Sequence, residues 1–444
     1  MRRLPVVLLA LAAVLAVLPA AGGPAQAQPP LPTTGPCLED GTGPVCSYWH
    51  GTVTSVSDGD TLDVLLDGEG PQHVRLNGVQ AMELTTYSRT PGRRRGECHA
   101  VEAAARLEQL APPGSRVRLA AQTGSSRSGT RPRRSVFVER AGAWRDVART
   151  LLQEGHGLWL PAADEPAHNA EYDLLAQRAR AARVGMWNPQ SCGPGPAPAA
   201  RLKLWLTWDA NGTDGVDLNG ESLHIKNTGT TVVPLAGWRV RDSAYRGTLG
   251  RGFVFPASAT LPPGGTVAVF VGTGRATATR FFWGQAAPVF ENVSRTTGLA
   301  DGAYLFDPQG DLRSSVVYPC RVSCADPLAR RIALAAVYNP PGADTAAREH
   351  VLVTNRSAAP AVLEGYQLWS WPYGYTFPPG SWLRAGESLR VSLGSGRPSR
   401  LAHHWRLGVP ALGNAGDSVA LRSSSNVLVA CRAWGSMRSC RTSD

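Results

Sequence analysis

Apolar and polar positions alternate over His50–Val56, again over Thr61–Leu66 after Asp58-Gly59-Asp60, and a third time over His73–Val79. Alternation of this kind predicts strands, and Asp58-Gly59 predicts a tight turn in which glycine supplies the backbone freedom. The period then changes. Ala100–Leu110 places Ala and Leu at helical spacing and is stopped by Pro112-Pro113-Gly114, and further helices are predicted over Val147–Glu154 and Ala170–Arg183, each closed by a nearby glycine. Strands followed by helices make residues 47–192 a small α+β domain. After Cys192-Gly-Pro-Gly-Pro-Ala-Pro-Ala-Ala, a linker by composition, helical periodicity disappears and short β-type runs alternate with Pro-Gly turns.

This second part repeats itself. Glu221-Ser-Leu-His-Ile-Lys-Asn227 returns as Glu349-His-Val-Leu-Val-Thr-Asn355, and Leu235-Ala-Gly-Trp238 as Leu363-Glu-Gly-Tyr366, both displaced by 128 positions. Leu261–Gly272 matches Leu383–Gly394. A repeat of about 110–130 residues is domain-sized rather than a solenoid unit, so two tandem β-sandwiches are expected, at 203–320 and 332–432, with 433–444 as a tail. At the other end, Arg2-Arg3, the apolar run Val6–Leu18 and Ala25-Gln26-Ala27 read as a signal peptide over 1–27, followed by a Pro-rich leader over 28–46 and export from the cell. No later run is long and apolar enough to predict a transmembrane anchor.

Composition narrows the classes. With 444 residues, 43% hydrophobic and 13 Trp, the chain can bury several cores, which excludes a disordered chain, a coiled coil or a collagen-like rod. The formal charge is +11, and the only lysines are Lys203 and Lys226, so the positive charge is almost all arginine, suited to forked contacts with phosphate. Residues 46–194 hold 18 Arg against 16 acidic residues, whereas 195–444 hold 25 basic against 16 acidic residues. The excess lies in the tail, which points to a polyanion partner there, nucleic acid or an anionic cell-envelope polymer. Eight cysteines, Cys37, Cys46, Cys98, Cys192, Cys320, Cys324, Cys431 and Cys440, read as four disulfides in an exported chain. Spacing leaves the connectivity open, although Cys98 with Cys192 would tie the ends of one domain and Cys431 with Cys440 would close a local loop.

Asp58-Gly59-Asp60-Thr61, then Arg75-Leu76, then Ala81-Met82-Glu83 stand in an order that resembles the staphylococcal nuclease family, together with Leu151-Leu152-x-x-Gly155 and Gly185-Met186-Trp187. The resemblance covers about Trp49–Trp187 and implies an α+β fold, a five-stranded OB-type barrel with helices. It implies a secreted nuclease, in a bacterial setting, that hydrolyses phosphodiesters of DNA or RNA. Such chemistry needs a deprotonated water, countercharge for the phosphoryl oxygens and, in this family, a divalent cation, calcium. The resemblance makes Glu83 the general base, Arg75 a phosphate fork and Asp60 a cation ligand. A second arginine is expected ahead of Val136-Phe137-Val138: with Val136 and Val138 inward, alternation puts Arg131 and Arg133 on the opposite face, and alignment favours Arg133 with Arg131 as rival. Arg93-Arg94-Arg95, Arg131 and Arg134 are the candidate nucleic-acid contacts, and His99, at a helix start beside Cys98, reads as structural.

Three departures matter. Gln80 stands where calcium-binding members carry a second aspartate, and it offers a cation an oxygen without charge, so affinity falls with ligand charge. Met82 replaces the usual proline. The family's D-x-Y-G-R approach to the second arginine is replaced by the basic run Thr130-Arg131-Pro132-Arg133-Arg134. These departures motivate the alternative of a catalytically inactive, secreted or surface-associated protein that uses a nuclease-like barrel as a polyanion platform. In the repeats, Ser222-Leu-His-Ile-Lys-Asn-Thr-Gly, Leu235-Ala-Gly-Trp238, Pro263-Gly264 and Phe281-Phe282-Trp283-Gly284 resemble a lamin tail domain, which implies an immunoglobulin-like sandwich that binds or spaces rather than catalyses. The second copy is more degenerate and keeps Gly365, Phe377-Pro378 and Trp405.

Overall fold

The computed structural model describes residues 33–84, 96–209, 214–244, 252–338 and 341–441; the signal peptide expected over 1–27 and Arg93, Arg94 and Arg95 lie outside them. The N-terminal unit runs β1 (Thr33–Pro36), β2 (Val45–Asp58), β3 (Thr61–Leu66), β4 (Gly70–Leu76), β5 (Val79–Gln80), α1 (Ala100–Leu110), β6 (Arg116–Ala121), β7 (Arg127–Ser128), β8 (Arg131–Arg140), β9 (Ala143–Asp146), α2 (Val147–Gln153), β10 (Leu158–Trp159) and α3 (Asn169–Ala182). Neighbours pair in the order β2, β3, β4, β8, β6, and β6 returns to β2, so five strands close a ring of pairings. Leu62, Val64 and Leu66 of β3 alternate inward, as do Val136 and Val138 of β8. Leu107 of α1 and Leu151 and Leu152 of α2 pack into the same core. Asp146 caps α2 by accepting the Arg149 N–H at 3.1 Å, while α3 stops where Arg183 turns left-handed.

Two sequence boundaries shift. From Thr33 onward the stretch expected as a leader is built into the unit, because β1 pairs with β2 in register from Thr33↔Tyr48 to Pro36↔Val45 and Cys37 is bonded to Cys46. The strand expected over His73–Val79 is broken at Asn77-Gly78, so that Val79 and Gln80 leave β4 and pair with β10 instead.

The remainder is two β-sandwiches of one topology. The first comprises β11 (Leu202–Thr207), β12 (Ser222–Asn227), β13 (Val233–Pro234), β14 (Arg239–Arg241), β15 (Phe253–Val254), β16 (Thr260–Leu261), β17 (Thr266–Phe270), β18 (Arg280–Phe282), β19 (Asp301–Phe306) and β20 (Leu312–Tyr318). The second comprises β21 (Ile332–Val337), β22 (His350–Asn355), β23 (Ala361–Val362), β24 (Gln367–Ser370), β25 (Tyr373–Thr376), β26 (Trp382–Leu383), β27 (Ser388–Ser392), β28 (Ala402–His404), β29 (Gly416–Arg422) and β30 (Leu428–Gly435). Sheets β11-β12-β17-β18 and β15-β14-β19-β20 recur as β21-β22-β27-β28 and β25-β24-β29-β30. The expected tail at 433 begins inside β30, and Trp434 lies in the second core, stacked on Tyr338. Trp238 and Trp283 are both buried in the first core.

The cysteines pair 37–46, 98–192, 320–324 and 431–440. Among the described residues no helix is long and apolar enough to cross a membrane.

Candidate active site

β3 and β4 lie side by side with Thr61 opposite Arg75, which brings the end of the Asp58-Gly59-Asp60 turn against the end of β4. Gly59 is required there for a reason other than turn freedom. A Cβ on it would lie 2.6 Å from the Ala81 Cβ and 2.7 Å from the Ala103 Cβ, so only glycine lets the turn pack against α1 and the segment leading to Glu83. Asp58 accepts the Asp60 N–H at 3.0 Å and fixes the turn.

Asp60 and Arg75 form a buried ion pair through Oδ1 and a terminal guanidinium nitrogen. The same Oδ1 accepts the Thr61 hydroxyl, and Oδ2 accepts the Ala81 N–H at 2.8 Å. The other terminal nitrogen of Arg75 donates to Gln80 Oε1 at 2.7 Å and to the Val79 carbonyl at 3.1 Å. Gln80 in turn donates from Nε2 to Glu83 Oε1 at 3.2 Å and to the Ala81 carbonyl at 3.1 Å. Asp60, Arg75, Gln80 and Glu83 are thus one hydrogen-bonded chain of side chains. Burial pushes the Asp60 carboxyl up to about 7, with Arg75 opposing and Asp58 adding to the shift. Burial, then the charges of Asp58 and Glu97, likewise hold Glu83 above the usual carboxylate range.

Of the expected arginines, Arg75 is turned inward, 3% exposed, with both terminal nitrogens given to the cluster. Arg131 reaches the site, donating to Thr61 Oγ1 at 3.0 Å. Arg133, favoured by alignment, lies beside Arg75 in the parallel β4–β8 register, yet its guanidinium pairs with Asp164 at 2.8 Å. Arg134 corrects an expectation: it is buried over Trp49 and donates to the carbonyls of Gly124, Ser126 and Arg133, which leaves it no reach toward a polyanion. His99 stacks on His156, the two ring nitrogens lying 3.1 Å apart, away from this chain of bonds.

Asp60 and Gln80, the expected cation ligands, do not fit a divalent cation as arranged. Both Asp60 oxygens and Gln80 Oε1 already accept hydrogen bonds, and the guanidinium of Arg75 lies between the two residues. Among the described residues the one group of three or more His, Cys, Asp or Glu side chains close enough to share a metal is Cys98, Cys192 and Asp311, whose sulfurs form a disulfide.

Sequence reading missed Glu97. Its Oε2 accepts the Glu83 N–H at 3.0 Å, and its own N–H donates to the Glu83 carbonyl at 3.0 Å. Gly96 makes this pinch possible: it sits at φ +88°, and a Cβ there would meet the Glu83 carbonyl at 2.7 Å. The one sequence signal was the glycine itself, next to an acid and a cysteine at a helix start.

Compared with known proteins, residues 207–320 match the family model of the Lamin Tail Domain, which is the first sandwich. No curated protein matches the chain.

Proposed function

We propose that the N-terminal unit is an OB-type barrel carrying a phosphodiesterase site, and that the protein is a secreted nuclease acting on DNA or RNA. The observation that carries this reading is convergence: Asp60, Arg75, Gln80, Glu83 and Arg131, spread over 71 positions of chain, meet in one network with a carboxylate of raised pKa at its outer end. In this reading Glu83 takes a proton from water as the oxygen attacks phosphorus. The bond to the leaving oxygen breaks, and that oxygen takes a proton from solvent, giving a phosphomonoester and an alcohol. Arg131, half-buried beside Thr61, supplies countercharge to the phosphoryl oxygens. Arg75 acts behind the base, holding Gln80, whose amide orients Glu83. Calcium, expected from the family resemblance, would have to displace Arg75 from Asp60 and Gln80 to bind there, and cleavage that persists in chelator would exclude it. Four disulfides suit an oxidising compartment, in keeping with export.

A second reading, an inactive polyanion platform, is favoured by one observation, the burial of Asp60 and Arg75. Incubating the full chain with single- and double-stranded DNA and with RNA, with and without chelator, separates the two: cleavage supports the hydrolase, and binding without cleavage supports the platform. In either reading the tail contributes charge through arginine, since Lys203 and Lys226 both lie against Glu364, at 3.6 and 2.8 Å. Binding through those arginines is expected to weaken with salt, with a log-log slope of about 0.7–0.9 per phosphate contacted.

A further inference from the structure

The N-terminal unit and the first sandwich share their interior. Buried apolar residues of the ring and of the first sandwich join in one cluster, whereas those of the second sandwich form their own. A further cluster straddles the junction and contains Met82, next to Glu83, together with Tyr304 and Phe306 of β19. β14 pairs with β19 so that Arg239 lies opposite Phe306 and Arg241 opposite Tyr304. The two arginines approach Glu97 from this sheet: Arg239 lies 3.8 Å from Oε1 and Arg241 3.9 Å from Oε2. That Oε2 is the atom that accepts the Glu83 N–H. The Arg241 side chain is 3% exposed, as is that of Glu97, and its guanidinium lies 5.3 Å from the Phe306 ring centre.

We propose that the first sandwich is a working part of the candidate site, with Arg241 and Arg239 as positioning residues that hold Glu97 and, through it, the backbone of Glu83. The proposal rests on the hydrolase reading for its consequence in rate, but the coupling itself is structural. Two charges from the sandwich fix the carboxylate that clamps the base, and Met82 is packed by the same sheet on the side chain next to it. A proline in place of Met82 could not fill that junction with a long, flexible side chain. Misplacing a general base by even about an ångström is costly in rate, because geometry is set before reaction.

The test uses the full chain. In Arg241→Met the Glu83 amide, followed by hydrogen exchange in peptides spanning 79–84, should exchange about tenfold faster, and kcat should fall about tenfold with KM unchanged. Arg241→Lys, which restores a cation, should recover most of both. Arg180→Ala breaks a different contact across the same junction, the 2.9 Å bonds to Ser315, and should leave the Glu83 amide as in the parent protein. Where Arg241→Met fails to fold, Arg239→Met, altering the more exposed of the two, gives the same readout. Unchanged exchange at Glu83, or equal acceleration by Arg180→Ala, overturns the proposal. A parent protein that hydrolyses nothing overturns the hydrolase reading alone, since exchange still decides the coupling.

Discussion

The two sandwiches share their internal hardware and differ in what they present to the unit before them. Glu221 accepts the N–H groups of Val289 and Phe290, and Glu349 accepts those of Ala411 and Leu412. Asn227 and Asn355 each tie their strand to two neighbouring carbonyl segments. Asp301 and Asp417 each accept the N–H of the next residue at 2.7 Å. These buried polar groups specify the fold, and so they recur. The strand facing backwards does not recur: Arg239 and Arg241 of β14 correspond to Gln367 and Trp369 of β24. Arg241 addresses Glu97 in the N-terminal unit, while Trp369 donates to Asp209 of the first sandwich at 3.2 Å. One scaffold thus docks twice through the same strand, once with cations onto a candidate site and once with an indole onto a neighbouring sandwich. The lesson is that docking chemistry varies where core chemistry is kept.

The largest effect is expected in the N-terminal unit, at the buried ion pair of Asp60 and Arg75. Arg75→Ala leaves Asp60 buried and unpaired, and at pH 8, above the value of about 7 to which Asp60 is raised, it should cost about 3–5 kcal/mol in denaturant titrations. The loss should shrink at pH 5, where that carboxyl is protonated. A pH-independent loss would show that the guanidinium matters for packing alone.

Shared hardware predicts shared cost. Glu221→Ala strands two buried N–H groups and Glu349→Ala one buried and one half-buried, and each should destabilise by about 1–3 kcal/mol, read by thermal or denaturant unfolding. If only one does, the correspondence is one of topology without energetics. Burial raises Glu221 to about 8 against the bonds from Val289 and Phe290. Between its ordinary value and about 8 the native state then holds the extra proton, so stability should fall as pH rises through that window. Glu221→Gln should flatten that slope in a series of melts. The smallest effect is expected at the boundary between the sandwiches. Lys226→Ala removes the 2.8 Å partner of Glu364 but leaves Lys203, and should cost no more than about 1 kcal/mol.

Much of this was legible in the chain because it is local. Helical spacing located α1, α2 and α3 to within about two residues of their ends, and the displacement of 128 exposed the duplicated sandwich. Alternation already put Arg134 on the same face as Val136 and Val138, which is the inward face it takes. The motif order at 58–83 was enough to name Asp60, Arg75, Gln80 and Glu83 as neighbours. It could not show Arg75 committed inward, because that depends on Val79 and Gln80 leaving β4. Nor could it show Glu97 held by Arg239 and Arg241, a contact between residues more than 140 positions apart that no local periodicity encodes. Arg131 rather than Arg133 reaches Thr61 because Asp164, on a distant loop, takes the other arginine.

The most direct test of the account is hydrolysis of nucleic acid by the parent protein and by Glu83→Gln, side by side, with folding checked by circular dichroism and melting. Glu83→Gln keeps the side-chain shape and its acceptor toward Gln80, so the fold should be retained. The parent should cleave, with activity rising with pH above the ordinary carboxylate range because Glu83 is raised, and the substitution should lower the rate at least about a hundredfold. Equal rates in the two proteins, or binding by both with cleavage by neither, would contradict it.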